Sequence, residues 1–151
     1  MDSKKAYNAA IRMLGRREHS EGELTSKLRQ KFSGLAPSDL DQLIEELKQY
    51  GLQSDARFTE SLVRSRIGRG YGPYYIRREL AFKGVSGDLI DEELEKADAD
   101  WANIARELVE RRHPAASGDE QSWGKAVRFL QRRGFSGELA SKAVGPRPFS
   151  S

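Results

Sequence analysis

One stretch of this chain is written almost twice. Val85-Ser86-Gly87-Asp88-Leu89 returns as Phe135-Ser136-Gly137-Glu138-Leu139, an offset of 50 residues. Leu28, Leu80 and Leu130 fall in step at offsets of 52 and 50, and Lys31, Lys83 and Arg133 follow each of them by three positions. A third match joins Met13-Leu14-Gly15-Arg16-Arg17, Leu62-Val63-Arg64-Ser65-Arg66 and Leu108-Val109-Glu110-Arg111-Arg112. Ordered matches of this kind point to a unit of roughly 50 residues used three times. A lone unit of that size buries too little apolar surface to stand by itself, so neighbouring units must stack. The first unit departs from the pattern through an insertion around Gly34 to Pro37, ahead of Ser38-Asp39-Leu40.

Within each unit apolar residues recur three and four apart, and no alternating run rich in Val, Ile and Thr suggests a strand. Helix starts are marked by Ser20 with Glu23, Ser38 with Asp41, Ser54 with Asp55, and Ser117 with Glu120, each serine offering its oxygen to unpaired amides of the first turn. At Gly72-Pro73 the proline opens a helix by giving up an amide that lacks a partner there. Helices are expected near 4–16, 21–33, 38–50, 55–67, 73–84, 87–97, 99–112, 120–133 and 137–144. The fold expected is all-α, three tandem three-helix repeats forming an elongated, curved right-angled-bundle array. The repeats are bounded at 1–52, 53–98 and 99–145, with a C-terminal tail at 146–151. An armadillo-like superhelix is the nearest alternative architecture.

Composition narrows the chemistry. Charged residues make up 32% of the 151 and the apolar set 37%, which suits a thin, well-solvated fold. No apolar run approaches the ~20 residues of a membrane span. Lys4 and Lys5 are not followed by a signal-peptide core, so a cytoplasmic protein is expected. The absence of cysteine removes disulfides, thiolate metal sites and a cysteine nucleophile. His19 and His113 lie at helix boundaries in non-equivalent loops, without the paired spacing of a zinc site. Gly68, Gly70 and Gly72 are spaced like a phosphate loop but lack the preceding strand and the following Gly-Lys. A protein without catalysis, metal or cofactor is the expectation.

The small net charge of +3 conceals segregation. Residues 4–33 carry eight basic and three acidic side chains, whereas 34–50 carry one and four. The second unit repeats this, with seven basic against three acidic over 53–85 and one against seven over 86–100. In the third unit, residues 101–135 hold seven against four, and the tail breaks the rule at two against one. First and second helices are therefore basic, and third helices of two units acidic. Such a strip attracts a polyanion or an acidic protein surface to its basic flank.

Basic residues are densest from Arg64 to Lys83, where Arg64, Arg66, Arg69, Arg77, Arg78 and Lys83 are interleaved with Tyr71, Tyr74 and Tyr75. Guanidinium groups suit phosphate or carboxylate, and tyrosine rings offer faces to bases. A tyrosine beside a glycine turn is equally a packing residue, and a charged helix face can serve solvation alone. The contact candidates are Arg64, Arg66, Arg69, Arg77, Arg78, Lys83, Arg132 and Arg133, with Tyr74 and Tyr75 for stacking. Phe58, Ile76 and Leu80 are assigned to the core.

Gln53-Ser54-Asp55-Ala56-Arg57-Phe58-Thr59-Glu60, Val63-Arg64-Ser65-Arg66, Gly70-Tyr71-Gly72-Pro73, Ile76-Arg77-Arg78-Glu79-Leu80 and Lys83-Gly84-Val85 resemble the central motif of the bacterial RecX regulatory family. Leu14-Gly15-Arg16-Arg17-Glu18-His19-Ser20 with Glu23-Leu24, and Phe129 to Ser136, are similar to its flanking motifs. Tyr74-Tyr75 stand where the family often has a small or basic pair, and Pro146 to Ser151 match nothing in it. The resemblance implies three tandem three-helix repeats and a modulator of RecA acting in DNA repair, homologous recombination and the SOS response. It implies binding in the helical groove of the RecA filament on single-stranded DNA, with suppression of ATPase, strand-exchange and coprotease activities. Direct binding of single-stranded DNA in competition with RecA is the alternative, and an adaptor for a different acidic protein is a third. A monomer is expected.

Overall fold

The computed structural model describes residues 2–148. Among them lie nine helices and no strand: α1 (Asp2–Arg16), α2 (Glu21–Lys31), α3 (Pro37–Gln49), α4 (Asp55–Gly68), α5 (Pro73–Phe82), α6 (Gly87–Ala97), α7 (Trp101–Arg112), α8 (Glu120–Arg132) and α9 (Gly137–Val144). Serine opens four of the nine described helices, α2, α4, α6 and α9. The Ser20 hydroxyl accepts from the Glu23 amide at 3.0 Å, Ser54 from Arg57 at 3.2 Å, and Ser136 from Leu139 at 3.1 Å. Two starts differ from expectation. At α3 the cap position is Ala36, with no side-chain bond, because Pro37 takes the first helical position one residue ahead of Ser38. At α8 the cap is Asp119 rather than Ser117, its carboxylate accepting from the Ser122 amide at 2.8 Å.

The near-verbatim repeat has a structural cause. The Leu80 carbonyl at the end of α5 accepts the Val85 amide, and the Leu130 carbonyl at the end of α8 accepts the Phe135 amide, both at 3.1 Å. Each closure reverses the backbone through a left-handed glycine, Gly84 at φ +84° and Gly134 at φ +102°. Val85 and Phe135 then drop into the core at 5% and 3% exposure, and Ser86 and Ser136 begin the next helix. One five-residue phrase thus ends a helix, buries an apolar side chain and starts another helix.

The described residues form two compact units, 2–61 with 80–93 and 62–79 with 94–148. This division runs through α4, α5 and α6, the three helices of the middle group. In the first unit, Ala6, Ala9 and Ala10 give α1 a flat seam against Leu24 and Leu28 of α2 and Leu40, Leu43, Ile44 and Leu47 of α3. Phe58, Leu80, Val85 and Ile90 are also buried there. In the second unit, Ala105, Leu108 and Val109 of α7 meet Ala126, Val127 and Leu130 of α8, closed off by Phe135 and Ala140. Leu28, Leu80 and Leu130, aligned by the repeat, are all fully buried, and each contributes roughly 1.5–3 kcal/mol of burial.

The tail beyond α9 is described only to Pro148. The Trp123 indole N–H donates to the Gly145 carbonyl at 2.8 Å, and the Arg147 guanidinium pairs with Glu120 while lying 5.6 Å from the Trp123 ring centroid. Phe149 to Ser151 lie outside the described residues.

Candidate functional site

The segment dense in arginine begins where α4 ends. Gly70, at φ +81°, lets the Tyr71 amide turn back to the Arg66 carbonyl at 3.0 Å, and Pro73 opens α5 two residues later. The hairpin brings Arg66 and Glu79 together as a two-bond fork at 2.7 and 2.6 Å, which raises the guanidinium pKa further above its ordinary value. Tyr71 stacks on Tyr75 with ring centroids 4.2 Å apart. The Arg133 guanidinium lies 4.1 Å from the Tyr71 ring centroid and donates to the Arg69 carbonyl at 2.8 Å. Backbone joins the same elements. The Gly72 amide donates to the Arg133 carbonyl at 2.7 Å and the Tyr74 amide to the Gly134 carbonyl at 3.0 Å.

A matching junction sits in the first unit. The Ser20 hydroxyl donates to the Lys83 carbonyl at 2.8 Å. Ser20 and Gly72 differ by 52 positions and Lys83 and Arg133 by 50, the offsets of the aligned leucines. The chemistry around the two joints differs. In the first, the Glu23 carboxylate forks with Arg17 at 2.6 and 3.1 Å and reaches the Lys83 ammonium at 3.3 Å. Burial opposes its charge, but the Arg17 hydrogen bond and the two cations outweigh that and hold its pKa down at about 2. In the second, Tyr75 occupies the position 52 residues on from Glu23 and stacks on Tyr71, whose ring meets the Arg133 guanidinium.

The ten sequence candidates therefore separate. Arg66, Arg133 and Tyr75 are engaged within the second unit, and Lys83 within the first. Arg64, Arg69, Arg77, Arg78 and Arg132 are exposed, and Tyr74 is 58% exposed. Phe82, 91% exposed at the end of α5, escaped the sequence reading. Its signal was the spacing Tyr74, Arg78, Phe82, which places it one and two helical turns along the face that carries the candidates.

Both histidines make contacts at helix ends. His19 is 3% exposed, with Nδ1 3.0 Å from the Arg17 carbonyl and Nε2 3.2 Å from the Lys27 ammonium. A carbonyl can only accept and an ammonium only donate, so the ring is neutral with its proton on Nδ1. Burial lowers its pKa against the pull of the Arg17 carbonyl. Its own carbonyl accepts from the Gln53 side-chain Nε2 at 3.2 Å, tying the α1–α2 loop to the α3–α4 loop. His113 leans on Phe129, with ring centroids 4.8 Å apart. Among the described residues no group of three or more His, Asp or Glu is placed to hold a metal, and no helix is long and apolar enough to cross a membrane.

The fold defines an all-helical tandem-repeat protein, and its α4–α5 segment exposes arginines and Tyr74. Comparison with known proteins agrees and goes further. Models of the first, second and third three-helix domains of RecX match residues 6–47, 54–94 and 98–144, in that order. The regulatory protein RecX of Chromohalobacter salexigens is 42% identical over 135 residues, covering 89% of this chain and 88% of the relative. That of Halorhodospira halophila is 42% identical over 143 residues, covering 94% and 88%. The crystal structure of RecX from Lactobacillus salivarius superposes with a TM-score of 0.81 at 24% identity, covering 95% of this chain and 94% of that one. The chain belongs to the RecX family of regulatory proteins.

Proposed function

We propose that this protein regulates RecA by binding its nucleoprotein filament on single-stranded DNA and restraining ATP hydrolysis, strand exchange and coprotease action. It acts in the cytoplasm as a monomer without a cofactor, through contact rather than catalysis. One observation carries the reading. Arg66 and Arg133 are spent on building the second unit, while Arg69, Arg78 and Arg132 of the same unit stand at the surface. Cations so placed suit the carboxylates and phosphates of a nucleoprotein, and several modest contacts within one compact unit add up through multivalency.

The test uses RecA filaments formed beforehand, at a salt concentration where the protein has no measurable affinity for DNA alone. Addition of the protein is expected to slow ATP hydrolysis. The Arg78→Glu/Arg132→Glu double variant is expected to relieve that inhibition at unchanged melting temperature. A second reading, direct competition for single-stranded DNA, draws on the exposed Tyr74 ring beside Arg77 and Arg78. It requires the opposite outcome: no effect on preformed filaments, and an affinity for single strands that falls with salt at a log–log slope of about −0.7 per phosphate neutralised.

A further inference from the structure

We propose that the cleft between α1 and α3 docks a basic helix of a protein partner, with Asp39 and Glu46 receiving two of its arginines and the Tyr7 and Tyr50 rings packing on an apolar residue between those arginines. The cleft lies wholly within the first unit, so the inference goes beyond the reading above and stands without it. It encloses about 590 Å³, and Leu43 is its floor, 5% exposed. Asp39, Leu43, Glu46 and Tyr50 follow one another along α3 and its C-cap at steps of four, three and four, which puts them on one face. Lys4 and Tyr7 of α1 form the other wall.

The lining sets the chemistry of the occupant. Among the described residues neither Asp39 nor Glu46 has an ion-pair partner, and Lys4 is the one cation on the lining, so the cleft keeps a net negative charge. Tyr50 is 70% exposed, which leaves most of an aromatic side chain for a complex to bury. That charge repels phosphate, whereas a guanidinium forks to a carboxylate and lies flat on a tyrosine ring. The acid character is not a demand of the fold. The same groove in the third group, between α7 and α9, is lined by Arg106 and Lys142 around Leu139, with Glu138 as its acid. Packing accepts either sign at this groove, so complementarity to a partner can decide it. Spacing then selects a helix. Asp39 and Glu46 are seven residues apart, about 10.5 Å along α3, with Leu43 between them. An amphipathic helix with arginines seven apart and an apolar residue between them repeats that distance on one face, in the mode where a helix lies in a groove.

The probe is a fluorescein-labelled helical peptide with two arginines seven positions apart and a leucine between them, and its control is an isomer with the arginines moved to the opposite face. Fluorescence anisotropy with the full chain is expected to show the probe binding about tenfold or more tighter than the isomer. Glu46→Lys is expected to weaken the probe about tenfold or more and Tyr50→Ala about threefold to tenfold, with Tyr50→Phe close to the parent. Glu46 is the acid to reverse, because Asp39 also favours the first turn of α3. Glu45→Lys makes the same change in net charge outside the lining, at the expense of a weak exposed pair with Lys48, and should alter affinity less than about twofold. Melting temperatures are expected to stay in place, since all three side chains are exposed. Absence of probe binding overturns the cleft outright, and equal binding of the isomer, or equal losses at Glu45 and Glu46, overturns it in favour of a diffuse acidic field. A single-stranded oligonucleotide that loses affinity in Tyr50→Ala would assign the ring to base stacking, and a dimer dispersed by Glu46→Lys would put a second copy in the cleft. Either result overturns the basic partner.

Discussion

The Gly72 amide donates to the Arg133 carbonyl at 2.7 Å, and the Ser20 hydroxyl stands in the same relation to the Lys83 carbonyl at 2.8 Å. A backbone donor does at one joint what a side-chain donor does at the other. The serine serves twice, since it also caps α2. The glycine serves by having no side chain, because a Cβ there would lie 2.5 Å from the Gly134 oxygen.

Gly72→Ala and Gly134→Ala should therefore be among the costly substitutions in the chain. At Gly134 the added carbon meets the Tyr75 amide nitrogen at 2.4 Å and the backbone is left-handed besides. Each is expected to cost more than about 2 kcal/mol, read as a fall in melting temperature by circular dichroism. Gly15→Ala is the control. Nothing lies within 4 Å of its Cβ position inside α1, and it should gain roughly 0.5–1 kcal/mol. Equal melting temperatures for all three variants would refute the joint.

Glu23 gives the first joint a dependence on acid. Its pKa falls from the ordinary 4.5 to about 2 on folding, so its contribution is complete above 4.5 and is lost as pH descends toward 2. Glu23→Gln is expected to cost about 1–3 kcal/mol at pH 7 by urea denaturation. The gap between variant and parent should narrow steadily over that acid window. A gap that stays constant would show that the carboxylate's charge contributes nothing.

His19 should add a second step nearer neutrality. The fold holds the ring neutral, among Arg17, Lys27 and Glu23, with a pKa below its ordinary 6.5. The folded state thus binds fewer protons than the unfolded one, and stability declines as pH drops below 6.5. His19→Gln is expected to lower stability at pH 7.5 but to flatten the fall in melting temperature between pH 7 and pH 5.5. An unchanged slope in the variant would assign that fall to other groups.

Arg132 and Arg133 are neighbours in sequence with different work. Arg133 lies over Tyr71 and donates to the Arg69 carbonyl, whereas Arg132 is exposed at the end of α8. Arg133→Ala is expected to cost about 1–2 kcal/mol, and Arg133→Lys to recover little of it, because an ammonium lacks the planar fork. Arg132→Ala should leave the melting temperature in place, and a matching loss at both positions would contradict the assignment.

Much of the fold could be read before any coordinates. Leu28, Leu80 and Leu130 announced the repeat because burial fixes their identity, and every helix was placed to within about two residues because the caps are local chemistry. Ser38 and Ser117 misled for an equally local reason, each having a better starter, Pro37 or Asp119, within two residues. The surface was less legible. That Arg66 belongs to Glu79, or Tyr75 to Tyr71, depends on how tightly the α4–α5 turn closes, which spacing alone does not state. Phe82 was overlooked because an aromatic residue two places from a core leucine passes for more core.

The two compact units do not respect the borders of the three matched domains. Residues 80–93 fold with the first group and 62–79 with the third, so α4, α5 and α6 each serve two masters. Excising any single domain at its sequence border would strip hydrophobic partners from a neighbour. A chain trimmed to one or two of its three groups is therefore expected to melt at a lower temperature, and less cooperatively, than the whole.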